Sequence, residues 1–491
     1  MSLILALDQS TSATKALLFD ATGALLDRAS LEHTQHYPKP GWVEHDAEEI
    51  YQNTVEAVRT LLAQHPEAQS QLLYLSITNQ RETFVVFERG TGKPLYNAIV
   101  WQCRRGEPIC ERLAVHNPAV RKITGLRIDT YFPASKMMWL LENEPEIKRK
   151  LEDGEALLGT IDTYLIYRLT GGAVFATDQT NASRTLLFDI NSLAWNDQMC
   201  RLFGVPRAAL AEVRDSNAIF GETTVDGVLS SAIPICGVMG DSQAALFAEH
   251  CFKPGMAKVT FGTGSSVLLN IGDQPHMSGT VGVTAVAWRV QGQTTYAFEG
   301  LINFTGGTIA WLRDQLQLIT DPRETEALAE SVSDNGGVYL VPAFVGLSAP
   351  YWKPNAKAAI VGLTPAATRA HVVRAALESI AYQVKDVLDL MGLEAGVTMQ
   401  QVHGDGGMVS NHFLMQFVAD ITRLQVRAAA LPELSPLGAA LAGMLGMGLA
   451  HSLADLDALP HDFKDYVPTG NAAQFAATYA GWQAAVLQVL V

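Results

Sequence analysis

The chain has 491 residues, enough for two or three domains with separate cores, and at 48% hydrophobic residues it has the composition of an ordinary soluble protein. Its formal charge of -15 is spread without long blocks of one sign and without a basic stripe carrying interleaved aromatics, which argues against nucleic acid or an anionic membrane as partner. The five cysteines (Cys103, Cys110, Cys200, Cys236, Cys251) are scattered, with no Cys-x-x-Cys and no zinc-type histidine spacing, so free thiols in a reducing cytosol are expected.

The N-terminus carries no export-type pattern, and the longest apolar stretch, residues 437–450, is too short to span a bilayer. Its small residues, Gly438, Ala439, Ala440, Ala442, Gly443 and Gly446, suit a helix packed closely inside a domain. In chain order, Leu3 to Leu7 and Lys15 to Asp20 read as strands, with a third after the turn at residues 21–23. Between the first two lies Asp8-Gln9-Ser10-Thr11-Ser12-Ala13-Thr14, ending at Lys15. Hydroxyls, backbone N-H groups and one ammonium there suit phosphate oxygens, and Asp8 suits a hydrated Mg²⁺; the plain alternative is a hydroxyl-rich hairpin turn. Asp46 with Glu49 predicts a capping box for a helix running to about residue 65, with Ile50, Thr54, Val58, Leu61 and Leu62 inward. Strand 72–78 ends in Asn79-Gln80-Arg81-Glu82-Thr83, where adjacent opposite charges suit hydroxyl recognition, since Arg only donates and a carboxylate only accepts. A surface ion pair is the plain alternative. Trp101, beside Arg104 and Arg105, either floors a polyol pocket or fills core, and Tyr131 to Asn143 enters a helix after a proline.

Gly237 to Gly240 brings the chain on a short apolar run to Asp241 at the start of a helix. Such an aspartate is either an N-cap or a catalytic base. After Lys253-Pro254-Gly255, taken as a domain boundary, a strand (256–261), a loop Gly262-Thr263-Gly264-Ser265-Ser266 and a return strand (267–271) echo the opening meander. Thr305-Gly306-Gly307-Thr308 precedes a helix whose N-terminus suits phosphate, and residues 403–411 lead glycine-rich backbone into a helix with Asn411 in its first turn. Single glycine clusters mostly serve turns. Four of them, ordered around carboxylates at Asp8 and Asp241, point to two related α/β domains closing on a nucleotide, with Asp241 as the base of a kinase.

At this point the sequence resembles the FGGY carbohydrate kinases of the actin and hexokinase superfamily, over nearly its whole length. Residues 131–143 fit one signature of that family; residues 358–363 with 371–378 fit the other. Residues 38–46, 77–83, 97–105, 180–185 and 341–344 are most similar to its glycerol-phosphorylating members. The resemblance implies an α/β fold of two related actin/hexokinase-like (ribonuclease H-like) domains. Residues 1–250 would hold the polyol site, first phosphate loop and catalytic Asp; residues 251–491 would hold the second phosphate loop and adenosine site, with the cleft between. It implies ATP and Mg²⁺, Asp241 as base, and Arg81, Glu82, Trp101, Tyr131, Asp241, Ser242 and Ser266 around the substrate. Thr11, Ser12, Lys15, Thr263 and Gly306 would meet phosphates, Gly407 and Asn411 the adenosine end, and Asp8 and Asp241 the metal. The expected partner is a small polyol, most simply glycerol, with no nucleic acid and no membrane; the expected state is a cytoplasmic homo-oligomer, dimer or tetramer.

Four departures from the family pattern stand out: Ser242 for Gln, Ser265-Ser266 for Cys-Phe, Ser10 and Lys15 for Gly and Arg, and no regulator-binding loop between Gly221 and Pro234. The two serines near the substrate favour a larger pocket, so a four- or five-carbon polyol or ketose (erythritol or xylulose type) is the alternative acceptor. A nucleotide-gated sensor without transfer activity is the alternative of a different class.

Overall fold

A computed structural model of the chain describes residues 2–431, 433–460 and 462–490. Strands β1 (Leu3–Gln9), β2 (Ala13–Asp20) and β3 (Leu25–Glu32) form the expected meander, turned at Gly23 with φ 85°. Helix α1 (Ala47–Gln64) starts at Asp46, whose carboxylate accepts from the N-H groups of Glu48 and Glu49. Glu49 does not complete the predicted capping box: it accepts instead from the Thr34 N-H at 3.1 Å, tying the helix to β3's end. Strand β4 (Leu72–Asn79) runs parallel to β1; after α2 (Pro133–Asn143), β5 (Ile219–Thr223) and β6 (Ile233–Gly240) complete a six-stranded sheet ordered β5-β6-β4-β1-β2-β3. β6 delivers the chain directly into α3 (Asp241–Ala248).

The C-terminal half builds β7 (Met256–Phe261), β8 (Ser265–Gly272), β9 (Val283–Val290), β10 (Gln293–Ile302), α4 (Gly306–Asp314), α5 (Arg369–Ala395), β11 (Gln401–Asp405), α6 (His412–Thr422), β12 (Gln425–Ala429), α7 (Leu434–Gly446) and β13 (Phe463–Tyr466). Its sheet has the order β9-β10-β8-β7-β11-β12-β13. β7 is antiparallel to β8 and parallel to β11, as β1 is antiparallel to β2 and parallel to β4, so the echo seen in sequence is a repeat of topology. The β7–β8 turn is tighter than predicted: Ser265 and Ser266 belong to the strand, opposite Phe261 and Thr260.

The halves interleave at α7. This helix lies on α3, β6 and β4 of the N-terminal half and shares one apolar core with Ile4, Phe19, Leu246 and Trp288. Its small residues permit the approach, as the sequence suggested: a Cβ at Gly438 would come within 1.8 Å of the Ala244 carbonyl oxygen, and the Tyr74 hydroxyl donates to the Ala440 carbonyl at 2.6 Å. Because the obstructing atoms are backbone, Gly438→Ala should force the two elements apart and destabilise by about 1–3 kcal/mol. Thermal and urea unfolding test this; an unchanged midpoint would show that α7 does not pack this way.

Candidate active site

Two clefts open at the strand ends that carry the predicted loops. One, of about 440 Å³, is lined by Asp241, Ser242, Lys258, Thr260, Asp405, Gly407 and the start of α7. The other, of about 570 Å³, is lined by Gly262, Thr263, Gly306, Thr325, Gly407 and Asn411. Gly407 belongs to both walls, so the Asp241 cleft and the Thr263–Asn411 cleft adjoin there.

Asp241 is the first residue of α3 and not its cap; Gly240 holds the cap position, with no side-chain bond to the helix. The Asp241 Oδ1 accepts the Ser242 N-H at 2.6 Å and the Ser242 hydroxyl at 3.3 Å, and pairs as an ion with the Arg81 Nε at 3.1 Å. All three contacts fall on one oxygen of a carboxylate that is 38% exposed, which leaves Oδ2 to the cleft.

Behind Asp241 lies a buried charge network. Arg81 Nη2 meets Glu299 Oε1 at 2.7 Å, and Arg184 meets Glu299 Oε2 and Glu82 Oε1, each at 2.6 Å. Gln243 accepts from Arg81 Nη1 at 3.1 Å. Two cations thus serve three carboxylates, counting Asp241, in a site where unpaired charge is costly. Burial raises the carboxylates, yet Arg184 and Arg81 hold Glu299 at about 2. Glu82, in contact with fewer donors, stays raised by burial. Glu82 also carries φ 64°, an uncommon backbone state that turns Arg81 and Glu82 toward these partners. Trp101 and Tyr131 meet edge to face at 5.4 Å beside them, and the Trp101 Nε1 donates to the Thr11 hydroxyl at 3.0 Å, linking the aromatic wall to the first loop.

The structure therefore brings Arg81, Glu82 and Asp241 together, and Trp101, Tyr131 and Thr11. Ser266 sits opposite Thr260 on one side and Leu301 on the other, on the cleft face of the sheet, and its buried hydroxyl makes no hydrogen bond. Ser12 and Thr263 are exposed at their loop tips. Three expectations change. Lys15, predicted for phosphate, lies 2.9 Å from Glu433 and 3.4 Å from Asp8. Gly306 begins α4, and its N-H already donates to the Gly262 carbonyl at 2.9 Å, as the Gly307 N-H does to Thr263; the β7–β8 tip occupies that helix end, so Gly306 supplies a Cβ-free wall and not a donor. Asn411 caps α6: its side chain accepts from the Leu414 N-H at 2.9 Å and donates to Thr325 at 3.1 Å.

Sequence reasoning did not single out Glu299, Gln243 or Glu433, and Arg184 entered only inside a matching run. A lone carboxylate in the apolar strand Tyr296-Ala297-Phe298-Glu299 was a usable signal, because a buried charge demands a partner. Burial raises Asp8 to about 6, with Lys15 opposing and Glu433 and Asp241 adding to the rise. Asp241 lines the cleft and Asp8, buried, lies near enough to feel its charge; a pair of carboxylates suits a hard cation such as Mg²⁺, and no cluster of three metal-binding side chains occurs among the described residues.

Residues 3–248 match the N-terminal domain, and residues 257–447 the C-terminal domain, of the FGGY family of carbohydrate kinases. The chain belongs to this family. Among relatives of this FGGY protein, glycerol kinase 1 of Thermotoga maritima is 45% identical over 489 residues, 99% of both chains. A glycerol kinase of Shewanella oneidensis is 46% identical over 485 residues, 98% of both. The crystal structure of Plasmodium falciparum glycerol kinase with ADP superposes with a TM-score of 0.95 at 36% identity, covering 100% of this chain and 99% of that one. A ligand-bound xylulose kinase of Lactobacillus acidophilus, at 21% identity and TM-score 0.87, covering 100% of this chain and 98% of its own, shares the fold.

The charge network gives this FGGY protein a testable pH signature. The Glu299 carboxyl is depressed from 4.5 to about 2, so its stabilising contribution is complete above pH 4.5 and is lost as pH falls toward 2. Glu299→Gln leaves Arg81 and Arg184 short of charge and should cost about 3–5 kcal/mol at pH 7. The difference from the parent, measured by urea unfolding, should be equal at pH 7 and pH 5 and shrink below pH 4.5. A difference independent of pH down to the acid transition would show that Glu299 is not held ionised by the arginines.

Proposed function

We propose that this protein transfers the γ-phosphoryl group of ATP to a terminal hydroxyl of glycerol, forming glycerol 3-phosphate and ADP. The observation that carries this reading is the Asp241 carboxylate, anchored through one oxygen by Arg81 and Ser242 and exposed through the other to a cleft that adjoins, at Gly407, the cleft lined by Thr263. Relatives that share 45–46% identity over nearly the whole chain and are named glycerol kinases support the acceptor.

In this reading Asp241 Oδ2 accepts the proton as the acceptor oxygen attacks the γ-phosphorus and the bond to the β-phosphate oxygen breaks. Arg81 and Glu82 hold the remaining hydroxyls, and Trp101 and Tyr131 wall the carbon skeleton. Ser242 fixes the base through its N-H. Thr11, Ser12 and Thr263 present hydroxyls and backbone to the phosphates, Gly306 and Gly407 give flat walls for the nucleotide, and Asn411 shapes its adenosine end by capping α6. Lys15 keeps Asp8 charged beside the cleft. Asp8 and Asp241 would hold a Mg²⁺ ion, which neutralises phosphate charge. The units are residues 1–250 and 251–491, with α7 reaching back onto the first. We also assign the enzyme to the cytoplasm, which five unpaired cysteines suit, as a dimer or tetramer of itself; no helix of the described residues is long and apolar enough to cross a membrane.

A second reading concerns the acceptor's length. The unpartnered Ser266 hydroxyl stands between Thr260, which lines the Asp241 cleft, and Leu301, which lines a further cavity of about 430 Å³ with Tyr131, Arg184 and Glu299. A four- or five-carbon polyol reaching past Ser266 would give that hydroxyl a partner.

Two measurements test these readings, the first the base that both share and the second the length of the acceptor. Asp241→Asn keeps shape and loses basicity, so kcat should fall roughly 10²–10⁴-fold with ADP affinity retained; near-parent turnover would remove Asp241 as the base. Ser266→Phe should raise the kcat/KM preference for glycerol over a tetritol by about 10–200-fold, the usual reach of a one-carbon change in pocket size. A parent enzyme that ignores glycerol and turns over a tetritol or pentulose efficiently would assign it the longer acceptor.

A further inference from the structure

Lys258, on β7, has no part in the chemistry above, yet it lies in the same cleft as Asp241. Its side chain is 3% exposed, and its ammonium donates to the Thr260 hydroxyl and lies 3.4 Å from Asp405 Oδ2. Among the described residues lining that 440 Å³ space it is the sole cation, facing Asp241, Ser242, Asp405 and Gly407. Lys15, the cation of the first loop, is turned to Asp8 and Glu433 instead.

The surroundings are richer in carboxylate than one counter-ion requires. Glu249, fully buried at the end of α3, makes no hydrogen bond through either oxygen, and neither does Asp405 Oδ1. Burial lowers the proton affinity of Lys258, but Asp405 and Glu249, with a smaller contribution from Asp241, more than offset it and keep the ammonium charged. An ammonium has three donors. Thr260 takes one and Asp405 a second at a loose 3.4 Å, so one donor remains for the cleft. Its four-carbon stem is flexible enough to follow an anion.

We infer that Lys258 is a further catalytic residue of the phosphoryl transfer, its ammonium donating to a non-bridging oxygen of the γ-phosphate while Asp241 takes the acceptor's proton. The inference rests on the kinase reading. Charge that builds on the equatorial oxygens during transfer is met by a donor already fixed in a dry site, the condition under which such a donor contributes most. Asp405 then serves to keep Lys258 charged when no nucleotide is present, whereas burial, with Asp405 adding to it, raises the Glu249 carboxyl well above its usual range.

The competing account is that Lys258 only neutralises Asp405. Three full-length variants distinguish them: Asp405→Asn, the neutral pair Lys258→Met/Asp405→Asn, and Lys258→Arg. The neutral pair removes the ammonium that Asp405→Asn leaves without its partner, so it should melt no lower than Asp405→Asn, while its kcat should fall a further 100-fold or so, the usual loss of one such donor. Its affinity for the β,γ-imido analogue of ATP should weaken about tenfold more than its affinity for ADP. Lys258→Arg keeps the counter-ion and displaces the donor, so it should also lower kcat; it decides the matter if the neutral pair does not fold. A neutral pair whose kcat equals that of Asp405→Asn, or a fully active Lys258→Arg, overturns the inference. Absence of transfer by the parent to any polyol would refute the kinase reading, whereas the comparison of analogue with ADP still tests Lys258.

Discussion

The site depends on the pairing of Arg81 with Glu299, because one guanidinium both neutralises a buried carboxylate of the C-terminal sheet and steadies Asp241 at the head of α3. Taken out of water singly, either charge would be strongly destabilising. Paired, and shared with Arg184 and Glu82, they mark where the two sheets meet. The position of the Asp241 carboxylate follows from a contact made across the two halves and not from α3 alone. That explains why Gly240 must lack a side chain: a Cβ there would press to 2.7 Å on the Arg81 stem and move the guanidinium away from both partners.

Much of the scaffold was legible in sequence because its signals are local. Strand, small-residue loop and strand recur at residues 3–20 and 256–272, and each became an antiparallel hairpin with a parallel neighbour. The small-residue run from Gly438 to Gly446 announced a close-packed helix and proved to be one. What escaped was long-range. Glu299 and Arg184 acquire meaning only when 102 residues of separation between Glu82 and Arg184, and 218 between Arg81 and Glu299, are closed by folding. The N-terminus of α4 looked free to receive phosphate, and nothing local says that the Gly262 and Thr263 carbonyls already occupy its N-H groups. Lys15 likewise met Glu433, 418 residues away.

Electrostatically the cleft is more acidic than its loops suggested. Asp241 and Asp405 line it with Asp8 and Glu433 close by, and both Lys258, which lines it, and Lys15, which pairs with Asp8 and Glu433, are held by carboxylates. A polyphosphate entering such a site needs cationic compensation, which suits a divalent ion arriving with the nucleotide. It also means that the resting lysines are already charged and oriented, so little reorganisation remains for the transfer step.

The same contacts constrain how the halves move. Arg81 and Arg184 of the first half grip Glu299 of the second, and α7 of the second half is buried against β4 and β6 of the first. Separating the halves on that side would unpair buried charges, at about 3–5 kcal/mol for a broken pair, and expose the shared core. The first loop carries a weaker tie of the same kind, the pairing of the partly exposed Lys15 with Glu433 at 2.9 Å, while Gly262, Thr263 and Gly407 wall the second cleft. A rearrangement that parts Lys15 from Glu433 therefore costs less than one that parts Arg81 and Arg184 from Glu299, because the lysine is partly exposed and both arginines are buried.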